Sequence, residues 1–228
     1  MKSSEINIPI IKLLVAKDWQ LFEKQLAAYV AGGIVALCFL GLGKAWSFYV
    51  GSLLLIIVMV ATACFSISTS LLAERKEHTL AFIMSLPISP RDFYLAKLVG
   101  NLITFSVPFL IMALGTEAVI LLTPLPNGLF VYSLLLFAYI AFAYCISLGV
   151  AMSVESEGFN TFTMIASMAL INPFLMMLGQ IPAIGQKVAL DKISWSFPAL
   201  GILVVLALLS IATLCVTGWM HGRKKAFY

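Results

Sequence analysis

Apolar residues along this chain gather into six long runs, at roughly 25–43, 47–73, 98–123, 129–154, 161–179 and 197–220. A helix rises about 1.5 Å per residue, so a hydrocarbon core about 30 Å thick takes about 20 apolar residues to cross. The pattern predicts an all-α membrane protein with six transmembrane helices in one transmembrane domain, residues 1–228. The gaps carry turn signals: Gly41, Gly43 and Lys44, then Pro124 to Gly128, then Glu155, Ser156, Glu157 and Gly158. In the fifth run Asn172-Pro173 predicts a kink or break. The residue before a proline avoids helical geometry, and proline removes a backbone donor.

Residues 5–24 show a different pattern. Ile10, Leu14 and Leu21 fall on one side of a helix with Ile11, Val15 and Phe22 beside them, while Lys12, Gln20 and Glu23 fall opposite. Asp18 interrupts the apolar face. Such a stretch predicts an N-terminal interfacial amphipathic helix lying in the headgroup plane, or else a plain extension of the first span. Residues 180–195 carry a weak helical stripe of Ile181, Ile184 and Val188 between the last two spans.

The longest polar interruption is residues 74–97. It holds the charges Glu74, Arg75, Lys76, Glu77, Arg91, Asp92 and Lys97, and the stops Pro87 and Pro90. A short helix is expected up to Leu86, with Leu80, Ile83 and Met84 at i, i+3 and i+4. A second helix is expected to restart with Ser89 as cap, Pro90 in the first turn and Asp92 as a reciprocal capping carboxylate.

The order Glu74-Arg75-Lys76-Glu77-His78-Thr79-Leu80, then Ser85-Leu86-Pro87-Ile88-Ser89-Pro90, then Lys97, resembles the coupling region of ABC type-2 transporter permeases. These are the membrane subunits of exporters driven by a separate ATP-binding-cassette ATPase. His78 stands where that family often has glycine. The resemblance implies a cytoplasmic coupling helix that contacts the ATPase through Glu74, Glu77, His78, Thr79, Leu80, Ile83 and Met84. It also implies two ATPase subunits holding ATP and Mg, and a second permease copy or homologue. The N-terminal amphipathic helix would be the family's elbow helix. Residues 180–195 would be a short external helix or re-entrant hairpin, where the residues alone allow an outer amphipathic loop equally. The second and fifth spans would line the route of a hydrophobic or amphiphilic substrate, bringing Ser66, Thr69, Asn172 and Met176 to it. Without the resemblance, residues 74–97 read as a charged cytoplasmic loop with no partner.

Composition agrees with a membrane chain: 62% of residues are apolar, 11% charged, and the mean hydropathy is +1.06. Soluble domains are about half apolar and a quarter charged. The net charge of +4 is modest, and no basic run interleaved with aromatics points to nucleic acid. Its distribution gives orientation. With six spans, both ends and the second and fourth connections share a side that holds 11 of the 14 cations; only Lys44, Lys187 and Lys192 lie opposite. Cation-rich loops stay inside, so both termini are expected in the cytoplasm of a bacterial-type inner membrane. Trp19 and Trp219 then fall at the inner interface, Trp46 and Trp195 at the outer. The N-terminus lacks the features of a cleaved signal peptide.

Catalysis has little support. The sequence has no GxxxxGK[ST] loop and no HExxH pair, and His78 and His221 both fall in polar segments. Cys38, Cys64, Cys145 and Cys215 lie in apolar runs without paired spacing, which suggests neither disulfides nor a metal site. Serines within the spans, Ser66, Ser68, Ser70, Ser106, Ser147 and Ser167, suit helix-to-helix hydrogen bonds. Small residues at Ala27, Ala28, Ala31 and Gly32, and at Ser147 and Ala151, suggest close helix approach. Met164, Met168, Met176 and Met177 line the fifth span as packing or as an adaptable wall. Glu117 is the one ionisable residue well inside a span. It lies about 9 Å below the outer end at 1.5 Å per residue, within conceivable reach of Lys187 or Lys192, and is a candidate for the transport route. A stand-alone secondary transporter or channel using Glu117 is the rival reading, though the two halves show no repeat of the kind many such carriers have. A membrane enzyme would need a polar intramembrane cluster.

Overall fold

The computed structural model describes residues 7–72 and 89–222. Helix α1 runs Ile8–Gly41 and α2 Ala45–Ile67, the latter continued by a π-helical turn at Ser68–Leu72. Then come α3 (Pro90–Leu122), α4 (Leu129–Ser153), α5 (Glu157–Ala169), α6 (Ile171–Gln180), the single-turn α7 (Pro182–Gly185) and α8 (Phe197–Gly222). Six crossings are long and apolar enough to span a membrane, α5 and α6 together making the fifth. No strand occurs among the described residues.

In the first crossing the separate interfacial helix is not found, and the alternative of an extended first span is. Residues 8–24 do not form a separate helix; they run unbroken into the first span as one helix of 34 residues. No glycine or proline lies between Ile10 and Ala31 to end it, and Asp18, which interrupts the apolar stripe, is buried against α3. At 1.5 Å per residue α1 is about 51 Å long, well beyond the hydrocarbon thickness. Its start is capped by the Asn7 side chain, which accepts from the Ile10 N–H at 3.3 Å.

Helix α1 packs on α2 and α3, and α4 carries α8 on one side and α5 on another. The large core lies among these helices, around Met59, Ile67, Met112, Ile140, Tyr144 and Leu148. A smaller one, with Val131, Leu135, Leu178, Ile184 and Ala199, sits where α6 and α7 meet α4 and α8. Close approach of α1 and α2 depends on Gly51, where a Cβ would stand 2.8 Å from the Leu40 nitrogen and 2.9 Å from the Ala36 carbonyl. Ala27, Ala28 and Ala31, expected at a contact, are exposed instead.

The α1–α2 turn closes on Gly43, at φ +65°, a left-handed geometry suited to glycine. In the fifth crossing the break falls at Leu170, so Pro173 sits in the first turn of α6. A missing N–H costs little there, because first-turn donors have no partner within their own helix. Residues 181–196, beyond α6, are held down at the end of the bundle opposite the described termini. The Gly128 N–H donates to the Leu190 carbonyl at 2.8 Å and the Asn127 amide to the Asp191 carbonyl at 3.0 Å. Ile184 anchors this segment in the smaller core.

Candidate functional site

Where α3 begins, Ser89 caps the helix as its sequence suggests: its Oγ accepts from the Asp92 N–H at 3.1 Å. Asp92 does not reciprocate onto the Ser89 backbone. One oxygen takes the Ser89 hydroxyl at 2.7 Å and the other the Asn7 N–H at 3.2 Å. A single carboxylate therefore faces the starts of both α1 and α3, where two helix dipoles favour negative charge. Glu74, Glu77, His78, Thr79, Leu80, Ile83 and Met84, the coupling residues implied by the resemblance, lie outside the described residues.

One helical stretch further along, α1, α2, α3 and α4 share a buried polar core. Lys97 donates from Nζ to Asp18 Oδ2 at 2.9 Å, and both side chains are nearly inaccessible. The Asn101 amide, fully enclosed, donates to the Lys97 carbonyl at 2.9 Å and to Ser70 Oγ at 3.0 Å. Ser66 Oγ lies 2.9 Å from Thr104 Oγ1, 3.3 Å from Asn101 Oδ1 and 3.3 Å from the Tyr144 hydroxyl. Tyr144 in turn donates to the Asn101 carbonyl at 2.7 Å and stacks on Phe105 with ring centroids 3.8 Å apart. The π-helical turn at Ser68–Leu72 brings Ser70 to this cluster, and π-turns within α-helices favour functional positions. A satisfied network of this kind fixes how the helices register, because each unpaired member would be costly in a low dielectric. Ser66 was singled out by its sequence position; Asn101, the hub, was not. An amide inside a long apolar run was the available signal.

Thr69 bonds back to the Phe65 carbonyl at 2.7 Å and is half-buried. Asn172 and Met176 lie elsewhere, on the outward face of the fifth crossing. That face is a continuous stripe of exposed residues: Phe162, Ile165, Ala169, Asn172, Met176 and Gly179. Their spacing alternates three and four, the seam spacing of helices that pack against a partner. A Cβ added at Gly179, or at Gly158 one step before Phe162, would meet nothing within 4 Å. The Asn172 amide makes no hydrogen bond among the described residues, and Pro173 has no N–H to offer the Ala169 carbonyl. By contrast α8 exposes only apolar side chains over its middle, such as Leu200, Val204, Leu208 and Ile211.

Glu117 is buried between α3 and α4. It does not pair with Lys187 or Lys192. Its Oε1 lies 2.9 Å from Ser133 Oγ, and its Oε2 has no hydrogen-bond partner. Lys187 instead reaches the Trp195 carbonyl at 3.3 Å. The reason is helical phase, since position 117 faces α4 rather than the loop above. A cleft of about 10 Å³ between Gly128, Tyr132, Ile184, Lys187, Ser194 and Ser196 has room for a single water. Among the described residues no three His, Cys, Asp or Glu side chains gather closely enough to hold a metal.

Compared with protein-family models, curated proteins and solved structures, the chain matches none.

Proposed function

We propose that this chain is the membrane subunit of an ABC type-2 transporter, exporting a hydrophobic or amphiphilic compound with ATP hydrolysed by a separate subunit. The observation that carries the reading is the paired overlength of α1 and α3. With 34 and 33 residues each is about 50 Å long, so the pair extends about 20 Å past a hydrocarbon core. The starts of both are tied through Asp92. The stretch with the permease-like pattern, 74–97, follows α2 in the chain and runs into the capped start of α3 at this projecting end. Force applied there would pass into α1 and α3 together, and through Asn101 and Ser66 into α2 and α4. ATP-driven closure of two ATPase subunits is the proposed source of that force. In this reading the end with the termini faces the cytoplasm of a bacterial-type inner membrane, as the distribution of cations supports.

The unpartnered amide of Asn172 supports a second permease copy. Within a bilayer an exposed donor and acceptor need a polar partner, and an amide can serve its own symmetry mate in both roles. The pathway would run between the copies along the fifth crossings. The test is co-purification of a tagged chain with its ATPase, together with substrate-stimulated ATP hydrolysis in liposomes. Leu80→Asp and Glu77→Lys should leave the chain in the membrane but without its ATPase, since losing an apolar interface anchor costs about 2 kcal/mol or more. Lys2→Ala should change nothing. Full assembly and stimulated hydrolysis in both variants would overturn the reading. A stand-alone proton-coupled carrier is favoured only by Glu117, and would purify with no ATPase at all.

A further inference from the structure

The surroundings of Glu117 contain more oxygens than hydrogens to join them. Ser133 has one hydroxyl hydrogen and three close acceptors: Glu117 Oε1 and the Leu129 carbonyl at 2.9 Å each, and the Phe130 carbonyl at 3.0 Å. A serine in an apolar helix ordinarily spends its hydrogen on the carbonyl three or four residues back. If Ser133 does so, the contact to Glu117 has no hydrogen unless the carboxyl brings one. If Glu117 were ionised, Ser133 would have to turn from both carbonyls, and Oε2 would hold part of a negative charge with no donor near it.

No cation among the described residues relieves that charge. From α1, Leu37 lies against Gly115, and Gly41 near Val119 and Thr123. Cys38 of the same helix is exposed, as are Lys44 just before α2 and Tyr49 within it. On α4, Tyr132 donates its hydroxyl to the Leu175 carbonyl. Of the loop groups at this end, Lys187 is engaged with Trp195, and neither Lys192 nor Asp191 pairs with Glu117.

We infer that Glu117 and Ser133 form a proton-binding site: Glu117 is held as the neutral acid, donating from Oε1 to Ser133 Oγ while Ser133 donates to Leu129. The Glu117 and Leu129 contacts of Ser133 then each carry a hydrogen, leaving only the longer one to the Phe130 carbonyl at 3.0 Å without its own, and the orphaned Oε2 is an uncharged carbonyl oxygen, the least costly group to leave alone. The neutral form depends on the closed α3–α4 contact. Water admitted to this contact would let the carboxyl ionise, one proton passing to water, and its exclusion again would take one proton up. This proton step stands on α3 and α4 alone and does not depend on whether an ATPase drives the chain.

Infrared spectroscopy of the intact protein in liposomes at neutral pH tests it. The wild-type spectrum should contain a carboxylic-acid C=O band that is lost in Glu117→Gln and moves to higher frequency in Ser133→Ala, where its hydrogen bond is gone. The glutamine side chain matches the neutral acid in shape and can donate to Ser133, so this variant should melt with the wild type. Should Glu117→Gln fail to accumulate, the band shift in Ser133→Ala decides alone. A wild-type minus Glu117→Gln spectrum showing carboxylate bands, or no acid band responding to either change, overturns the inference. Loss of ATPase assembly in the coupling variants would leave the bands unchanged, which separates the two tests.

Discussion

Asp18 carries opposite meanings in one dimension and in three. Along the helix it interrupts an apolar stripe; in the bundle it meets Lys97, and the two charges leave water together. Removing one partner of a buried ion pair costs about 3–5 kcal/mol, whereas replacing both by apolar residues is often neutral. Asp18→Leu and Lys97→Met should therefore each lower the melting midpoint in detergent sharply, and the double variant should regain most of the loss. Equal and additive losses in a double-mutant cycle would show that the pair is not coupled. Neither residue's partner was readable beforehand, because they lie 79 positions apart and nothing local to Asp18 points to Lys97. The same holds for Asn101, whose partners Ser70 and Tyr144 lie 31 and 43 positions away.

Elements were more legible than contacts. The ends of the crossings fell close to the turn residues that mark them, since Gly43 and the Ser156 and Ser89 caps act through local backbone geometry. The break in the fifth crossing was anticipated from Asn172-Pro173, but it lies just before that pair. Proline is tolerated in a first turn, so the helix restarts ahead of it rather than stopping at it. For residues 5–24 the structure follows the second of the two readings, an extension of the first span, because amphipathic spacing alone does not separate a helix lying on a membrane from one docked against another helix. For the fifth crossing the outward stripe yields a prediction of its own. Single cysteines at 172 or 176, in a chain whose four native cysteines are replaced, should cross-link two copies on mild oxidation in membranes. A cysteine at 208, on the apolar face of α8, should not. Cross-linking at 208 alone, or at none of the three, would remove the fifth crossing from the interface between copies.

For the whole molecule, six crossings put both described termini at one end of the bundle, and the distribution of cations supports that end as the cytoplasmic one. Cysteines at 126 or 190 should react with an impermeant thiol reagent added to intact cells, and cysteines at 89 or 224 only after permeabilisation. Labelling at 224 from outside would reverse the orientation. The Asp18–Lys97 pair also sets an order of events during synthesis. At about 5–20 residues per second, Lys97 leaves the ribosome roughly 4–16 seconds after Asp18. Throughout that interval the Asp18 carboxylate, at the edge of the apolar stretch of α1, has its neighbour Lys17 beside it but not Lys97. The final docking of α1 must wait for α3, so the insertion machinery has to retain the first helix, or let it rest shallowly, until the third arrives.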